Sequence, residues 1–494
     1  MTAVVCAPLT VERRALSRPG SPLRVLRTGM GPERSAAAAA ALDDADALIV
    51  AGVGGGLVAA ARPGDLVVAT EVRSRDGAVT SPSAPLLAGA LRKLGLTVHT
   101  GPLYTSERLI HRGERRRLAE TGAIAVDMES APIAAAAGDR PFVAVRAIVD
   151  TADHGLWTPG TIRRGVAALR VLRRATPALE QWAAAVGPRE VVLAAPRSFC
   201  AGVDRAIDVV ERILDQRGGP VYVRRQIVHN AHVVRRLADR GAVFVTEVDE
   251  VPRGSTVVLA AHGVAPAVRA AARDRGLDVI DATCPLVAKV HAEVRRSAGH
   301  GDTVFLIGHP EHEEVEGTVG EAPADVVVVE DAAAAATVTP RDPGRVAYAM
   351  QTTLAVDEAE EIAQILRDRF PALTGPRRED ICYATSNRQL AIRTAARDSD
   401  LVLVVGSANS SNSLRLAEVA ERDGVPAHLI EDAGQIDLDW LPGTTRIAVT
   451  AGASAPPHLV DDVVHCLTGL GPVRTREAEV AQEDIRFTLP KEVS

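Results

Sequence analysis

The sequence predicts an α/β protein along almost its whole length. Two observations support this prediction: continuous apolar runs of strand length, and helix-length segments rich in Ala, Leu and Arg between them. Apolar runs without polar alternation are typical of parallel strands that are covered on both faces. These runs include "DALIVAGVG", "DLVVATEV", "TVVLAAHGV", "DTVFLIGH" and "LVLVVGSA".

The length and the helix pattern predict two main parts. The chain has 494 residues, which is too long for one ordinary core. A helical stretch over 161–186 ends before Gly187-Pro188, after which "EVVLAAPRSFC" begins as a strand. We therefore expect a domain over residues 1–187 and a second over 188–494. The Ala runs at 36–41 and 332–336 are expected to be helical.

Composition excludes several classes of protein. A net charge of -7 and 3% aromatic residues argue against a nucleic-acid surface, so small molecules or proteins are the expected partners. We find neither a signal peptide nor an apolar run long enough for a membrane span, and a cytoplasmic location is the expectation. The five thinly spread cysteines make a poor disulfide framework.

Three of these cysteines occur in similar surroundings. The stretches "VVLAAPRSFCAGVDRAI", "DVIDATCPLVAKVHAEV" and "EDICYATSNRQLAIRTA" each place a cysteine (Cys200, Cys284, Cys382) after a strand-like run and before a helix. Side chains at the carboxyl ends of parallel strands converge on one crevice, and helix N-termini are expected to lower the thiol pKa. Three thiolates suit an iron–sulfur cluster with one open iron, or zinc with one more ligand, and a site without metal stays open. Cys6 and Cys466 are expected to pack in cores.

Polar motifs follow other strand-like runs in the same half. They are "VHN" at 228, "AHGV" at 261, "GHPEHEEVEGT" at 308, "QTTLAVD" at 351, "GSANSSNS" at 406 and "AGASAP" at 451. Clustered imidazole, hydroxyl and amide groups can hold a phosphorylated ligand without a P-loop, a motif that this sequence lacks.

In this order the cysteine and polar motifs resemble the 4-hydroxy-3-methylbut-2-enyl diphosphate reductase family, over about residues 190 to 491. The resemblance implies a three-lobed α/β reductase with a pseudo-threefold arrangement around a central [4Fe–4S] cluster, held by Cys200, Cys284 and Cys382. It implies a small-molecule diphosphate substrate and an electron donor such as ferredoxin or flavodoxin. Glu314 would supply protons and Thr352 would lie beside the substrate hydroxyl. The diphosphate would be bound by His229, His262, His312, Ser410, Ser411, Asn412 and Ser454.

Two positions depart from that family's common pattern. Ser198 stands where glycine is common, which matters if the position needs a positive φ. Glu313 stands where proline is common, and its charge would either raise the pKa of Glu314 or face solvent.

The first 187 residues carry looser motifs. "RTGMGPERSAAAAAAL" places a glycine turn before a helix, where backbone N–H groups can receive an anion. With "AGVGGGLVAAARPGDLVVAT", "IAVDMESAPIAAAAG" and "PFVAVRAIVDTAD", it resembles the nucleoside phosphorylase and nucleosidase superfamily, particularly the hopanoid-associated phosphorylases. The resemblance implies a phosphorylase-like α/β domain in which Met128 and Glu129 hold a ribose. Asp150 would hydrogen-bond or protonate the leaving purine, and Glu12 would activate water.

Three hypotheses follow for the whole chain. The main one is a bifunctional enzyme in which a nucleoside-cleaving domain is fused to an iron–sulfur diphosphate reductase. The second is the same reductase with a non-catalytic N-terminal module for nucleoside binding or assembly. The third is a zinc-stabilised binding protein.

Overall fold

A computed structural model describes residues 2–110, 112–152 and 160–493. The chain divides into two compact units. Unit 1 comprises Met1–Val191, Asp432–Arg446 and Asp461–Thr475, and unit 2 comprises Val192–Glu431, Ile447–Val460 and Arg476–Ser494. Unit 1 thus takes in two segments from beyond the expected boundary at residue 187, and the boundary itself stays a prediction. No described helix is both long and apolar enough to cross a membrane.

The N-terminal sheet belongs to unit 1 and is mixed. Its strands are β1 (Ala3–Ala7), β2 (Arg24–Arg27), β3 (Ala47–Gly56), β4 (Leu66–Ser74), β5 (Gly77–Thr80), β6 (Val98–Thr105), β7 (Ala125–Asp127) and β8 (Phe142–Asp150). The order is β2-β1-β3-β7-β6-β4-β5, and β8 pairs with both β3 and β4, so that five strands form a closed ring. Because β3–β7, β4–β5 and β4–β8 are antiparallel, the expectation of purely parallel sheets is wrong here.

Six helices precede residue 187 in the described part of the chain. They are α1 (Thr10–Leu16), α2 (Pro32–Ala39), α3 (Ala84–Lys93), α4 (Arg112–Glu120), α5 (Ser130–Ala137) and α6 (Thr161–Ala184). The helices predicted at the first Ala run and over 161–186 are confirmed.

The strands after residue 187 form three further sheets. They are β9 (Arg189–Ala195), β10 (Val221–Arg224), β11 (Ala242–Val245), β12 (Thr256–Leu259), β13 (Asp278–Asp281), β14 (Thr303–Ile307), β15 (Val326–Val329), β16 (Val346–Met350), β17 (Leu401–Val405), β18 (Ala427–Ile430), β19 (Arg446–Ala451) and β20 (Val473–Glu479). The sheet orders are β11-β10-β12-β13, β15-β14-β16 and β18-β17-β19-β9-β20. The α/β class is confirmed, and the neighbouring strands of the first two of these sheets pair in parallel.

Ten helices in the described part of the chain after residue 187 contribute apolar side chains to the cores beside these sheets. They are α7 (Ala201–Arg217), α8 (Ala231–Asp239), α9 (Pro266–Asp274), α10 (Pro285–Gly299), α11 (Glu313–Val319), α12 (Ala332–Thr337), α13 (Val356–Arg369), α14 (Tyr383–Ala396), α15 (Ser411–Arg422) and α16 (Pro457–Thr468). In α7, for example, Ile207, Val210 and Ile213 recur at helical spacing and are buried in the core of the β10 sheet. The helix predicted at the second Ala run is confirmed as α12.

Candidate active site

The three similar cysteines all occupy the same position relative to a helix. Cys200, Cys284 and Cys382 are the N-cap residues of α7, α10 and α14. Cys200 follows β9 and Cys284 follows β13, as predicted. In the described part of the chain no strand lies between α13 and Cys382, so that part of the prediction is wrong. Its loop is fixed instead by the buried carboxylate of Asp380, which accepts a hydrogen bond from Met350 N at 3.0 Å.

One cavity of about 760 Å³ in unit 2 brings the predicted reductase residues together. All twelve of them line it: Cys200, His229, His262, Cys284, His312, Glu314, Thr352, Cys382, Ser410, Ser411, Asn412 and Ser454. Tyr383, Thr385 and Phe487 also line the cavity and were not predicted from the sequence.

Three imidazoles form one wall of this cavity. The rings of His229 and His262 stack with centroids 4.0 Å apart, and His312 meets them edge-on at 5.6 and 5.8 Å. Burial, reinforced by the neighbouring imidazoles, lowers the pKa of His229 to about 2 and that of His312 to about 3. The His312 Nδ1 accepts the backbone N–H of Glu314 at 3.1 Å, which leaves Nε2 to donate in the neutral ring.

Glu314 is a buried acid coupled to Thr352. Its carboxylate accepts the Thr352 backbone N–H at 2.7 Å and the Thr352 hydroxyl at 3.0 Å. Burial raises the pKa of Glu314 to about 7, although both bonds from Thr352 act in the opposite direction. A carboxyl group with a pKa near neutrality is suited to donate a proton.

Small polar side chains form another wall. Ser410 Oγ lies 3.3 Å from Ser454 Oγ, and Ser454 Oγ donates to the backbone carbonyl of His229 at 3.0 Å. Asn412 Oδ1 accepts the backbone N–H of Ala453 at 2.9 Å. These contacts fix hydroxyl and amide groups around the cavity beside the imidazoles.

The sulfur arrangement fits a group larger than a single ion. A Cβ atom on Gly202 would lie 2.7 Å from Cys284 Sγ and 3.9 Å from Cys200 Sγ, so only glycine leaves room beside these two sulfurs. Among the described residues, the three sulfurs do not form a group whose ligand atoms all lie within 4.8 Å of one another. One zinc ion at about 2.3 Å from each sulfur cannot separate two of them by more than about 4.6 Å. Three thiols around a wider space suit a cubane cluster with one iron not bound by cysteine.

Cys284 and Cys382 do not have the lowered thiol pKa that their helix positions predicted. Burial raises the pKa of Cys284 to about 11 and that of Cys382 to about 12, and the proximity of Cys200 adds to both. Backbone N–H groups at the helix N-termini lower these values only in part. Because burial and repulsion from neighbouring thiolates outweigh the helix effect, the thiols of Cys284 and Cys382 stay protonated until a metal group displaces the protons. Thr385 Oγ1 lies 3.1 Å from Cys382 Sγ. Only the three-residue spacing of these two residues at the start of a helix could have indicated this contact.

Both departures from the family pattern have a structural role. Ser198 has φ 62°, so this position does adopt the left-handed conformation that favours glycine. Glu313 lies 3.7 Å from His262 Nδ1, and His262 and Arg225 bring the pKa of Glu313 below its usual range although burial raises it. Glu313 therefore has His262 as its contact in the cavity. The raised pKa of Glu314 comes mainly from burial. Ligand atoms of His229, His262 and Glu313 lie within 4.8 Å of one another.

A separate cavity of about 1090 Å³ in unit 1 contains the four predicted N-terminal residues, Glu12, Met128, Glu129 and Asp150. Glu12 accepts the backbone N–H groups of Leu9 at 2.6 Å and Val53 at 2.7 Å. Glu129 accepts Gly31 N at 3.0 Å, so the glycine turn before α2 binds this carboxylate. Burial raises the pKa of both glutamates.

Two buried arginines of this cavity region were not predicted. Arg115 pairs with Asp150 and also donates to the backbone carbonyl of Gly56 at 3.1 Å. Arg146 is fully buried and pairs with Asp127 and, at 3.4 Å, with Glu129. Among the described residues, its Nε and Nη1 have no hydrogen-bond partner. Cys6 and Cys466 are buried away from both cavities, as predicted.

The fold and the cavity define a class of α/β protein in which three helix-capping cysteines share one pocket with clustered histidines. Residues 191–468 match the family model described as LytB protein, and the chain belongs to this family. Residues 15–163 match the model of the phosphorylase superfamily.

Curated relatives and a solved structure agree with this assignment. The chain is 54% identical over 313 residues to 4-hydroxy-3-methylbut-2-enyl diphosphate reductase 2 of Mycobacterium bovis, which covers 63% of this chain and 95% of the relative. It is 54% identical over 305 residues to the reductase of Bordetella pertussis, covering 62% of this chain and 94% of the relative. The E-1-hydroxy-2-methyl-but-2-enyl-4-diphosphate reductase structure from Plasmodium falciparum matches with a TM-score of 0.60 at 35% identity, covering 62% of this chain and 97% of that one.

Proposed function

We propose that unit 2 reduces 4-hydroxy-3-methylbut-2-enyl diphosphate to isopentenyl diphosphate and dimethylallyl diphosphate. The reaction consumes two electrons and two protons, breaks the allylic carbon–oxygen bond and releases water. The observation that supports it most is the single cavity in which three cysteines, three histidines and the Glu314–Thr352 pair meet. The relatives named above carry this activity in their names.

The cysteines would hold a [4Fe–4S] cluster in this proposal. When bound, the cluster would supply a Lewis-acidic iron and would pass on electrons that it receives from a one-electron donor such as a ferredoxin or flavodoxin. The wide sulfur spacing supports a cubane over a single zinc ion. Protons on the buried thiols would leave as the cluster binds.

The chain's own residues would orient and protonate the substrate. His229, His262 and His312 would neutralise the diphosphate while the Ser410, Ser411, Asn412 and Ser454 side chains donate hydrogen bonds to it. Thr352 would lie beside the substrate hydroxyl, and Glu314, held by Thr352, would deliver the proton to the departing oxygen. Most cavity-lining groups are buried, which limits the water that competes for this proton.

Purification without oxygen followed by spectroscopy and a product assay tests this proposal. We expect a brown protein with a broad visible absorption, and formation of both five-carbon diphosphates with reduced viologen as the electron source. Replacing Cys284 by Ser should remove the colour and the activity together. A colourless protein that binds zinc through the same cysteines would instead support the hypothesis of a zinc-stabilised binding protein.

We further propose that unit 1 cleaves a purine nucleoside. The supporting observation is that Glu12, the adjacent pair Met128 and Glu129, and Asp150 come from three separate segments of the chain and line one cavity. Glu129 would bind the ribose hydroxyls, Asp150 would hydrogen-bond or protonate the base, and Glu12 would activate water. Incubating the full chain with purine nucleosides, with and without phosphate, and measuring free base separates this activity from a non-catalytic binding role.

A further inference from the structure

Each of the three helices that begin after a site cysteine carries a cation about one and a half turns further along. The cations follow their cysteines by five, five and six positions, in the pairs Cys200 and Arg205 on α7, Cys284 and Lys289 on α10, and Cys382 and Arg388 on α14. This repetition is not visible in the sequence unless the three helices are aligned on their cysteines.

Arg205 extends from the helix of Cys200 to the loop before Cys284. Its Nη1 donates to the backbone carbonyls of Ala282 and Thr283, at 3.1 Å each. Its Nε donates to the carbonyl of Thr488 at 2.8 Å. The cation therefore connects the first cysteine helix to the two residues that precede the second cysteine.

Lys289 extends in the same way from the helix of Cys284 to the loop before Cys382. Its Nζ donates to the backbone carbonyls of Arg378 and Glu379 at 2.7 Å each, and lies 3.1 Å from Asp380 Oδ1. This loop contains no strand before the cysteine. The ammonium group, together with the Asp380 carboxylate, supplies hydrogen bonds that strand pairing would otherwise provide.

Arg388 completes the circle, from the helix of Cys382 to the loop before Cys200. Its Nη2 donates to the backbone carbonyls of Ser198 at 2.8 Å and Phe199 at 3.3 Å, and its Nε donates to Ser198 at 3.1 Å. Its Nη1 pairs with Glu483 at 3.1 Å. Arg388 is fully buried, so the guanidinium is committed to these contacts.

We propose that Arg205, Lys289 and Arg388, here named the cation ring, are positioning residues that hold the three cysteine loops where their sulfurs can share one metal group. The inference rests on the proposed three-cysteine site. Each cation starts from one cysteine's helix and holds the loop of the next cysteine, so the three sulfurs are mechanically coupled in a closed order. Hydrogen bonds from a charged donor are stronger than neutral ones, which suits them to hold loops outside regular sheet pairing.

The cysteine amides report whether a loop is held. The backbone N–H of Cys200 donates to Ala453 O at 3.3 Å, that of Cys284 to Ala261 O at 2.9 Å, and that of Cys382 to Thr352 O at 3.1 Å. If a ring cation is removed, the amide of the next cysteine should exchange faster with solvent deuterium, because its loop opens more often. The cysteine on the cation's own helix should be less affected.

The test uses the full-length metal-free protein and the protein reconstituted with iron and sulfide. Lys289→Met is the first variant because the Lys289 side chain is 25% exposed, which makes misfolding less of a risk than at Arg388. We expect the Cys382 amide to exchange about tenfold faster or more, and chelator to remove iron about 10- to 100-fold faster, as for other residues that orient metal ligands. Lys289→Arg should restore both rates in large part.

Arg296→Met is the matched control on the same helix. Arg296 is 38% exposed and lies 3.9 Å from Glu293, outside the cation ring. Its replacement should leave both rates unchanged. Arg205 is also half-buried. In Arg205→Met the Cys284 amide, rather than the Cys382 amide, should exchange faster.

The outcomes separate this inference from the proposed function. Unchanged exchange at Cys382 in Lys289→Met would overturn the cation ring, whether or not a cluster binds. Faster exchange with unchanged iron loss would overturn its role in holding the metal group. If the wild-type protein bound no cluster through its cysteines, the proposed reductase function would fail, while the exchange rates would still decide the ring.

Discussion

Glu314 and Thr352 form a two-point contact in which one carboxylate accepts both the backbone N–H and the side-chain hydroxyl of the threonine. These bonds connect two parts of the fold, because Glu314 is in the first turn of α11 and Thr352 follows β16. The contact fixes the orientation of a carboxyl group that is almost fully buried. The acid is therefore preoriented before substrate arrives.

Replacing Glu314 by Gln should lower kcat for substrate reduction by about 10²- to 10⁴-fold. The amide keeps an acceptor for Thr352 but has no acidic proton to give. Because burial raises the pKa of Glu314 to about 7, a proton donor at this position becomes depleted above neutral pH. In the wild-type protein, kcat/KM, which reports the groups of the free enzyme, should fall about tenfold per pH unit above that value. A variant with the same iron content and an unchanged pH profile would exclude Glu314 as the donor.

Inorganic diphosphate should bind more tightly as the pH falls from 8 towards 6. The pKa values of His229 and His312 lie at about 2 and 3 in the ligand-free protein, so both imidazoles start neutral. A bound anion favours imidazolium, and the complex then holds more protons than the free protein. After correction for the ligand's own titration, affinity should rise about tenfold per pH unit for each proton taken up.

Calorimetry in buffers of different ionisation enthalpy measures this proton uptake directly. His312→Asn should reduce the number of protons, and His99→Asn, at a histidine of unit 1 outside this cavity, should not. Binding without proton uptake at any pH would contradict the prediction.

Base release from a purine nucleoside by the full chain should fall about 10²-fold or more in Glu129→Gln and Asp150→Asn. Glu33→Gln, at an exposed acid in the first turn of α2, is the control and should be as active as wild type. Burial raises the pKa of Asp150 while Arg115 lowers it. Arg115→Met should therefore raise this pKa further and extend activity to higher pH, if protonated Asp150 donates to the base. Equal base release by all four variants would exclude Asp150 and Glu129 from catalysis.

The sequence predicted the contents of the reductase cavity better than its local structure. Cysteines, histidines and hydroxyl groups at strand and helix ends could be placed together because parallel strands direct their ends to one edge. The strand before Cys382 was wrong because a short apolar segment there is held by side-chain hydrogen bonds from Asp380 and Lys289. The direction of the thiol pKa shift was wrong because burial depends on the folded surroundings.

In unit 1 the sequence did not predict strand direction or the buried charge pairs. Apolar runs predicted its strands, yet they carry no information on strand direction, and the antiparallel pairs went unpredicted. The Arg115–Asp150 pair joins residues 35 positions apart, and nothing in their local sequence indicates it. Charge pairs of this kind become visible only when the fold brings two elements together.

Ser198→Gly should stabilise the protein, because Ser198 adopts φ 62° in the loop before Cys200. A left-handed conformation costs an L-residue about 1–2 kcal/mol, whereas glycine adopts it readily but loses about 0.5–1 kcal/mol more backbone entropy on folding. The expected net gain is about 0.5–1 kcal/mol in the free energy of unfolding, measured by denaturant unfolding of the metal-free chain. Ser198→Ala is the matched control, since it removes the hydroxyl and keeps the Cβ that strains the backbone, and it should give no such gain. Equal stabilisation by Ala and Gly would show that the hydroxyl is the unfavourable group, and a loss of stability with Gly would show that the left-handed backbone costs this loop nothing.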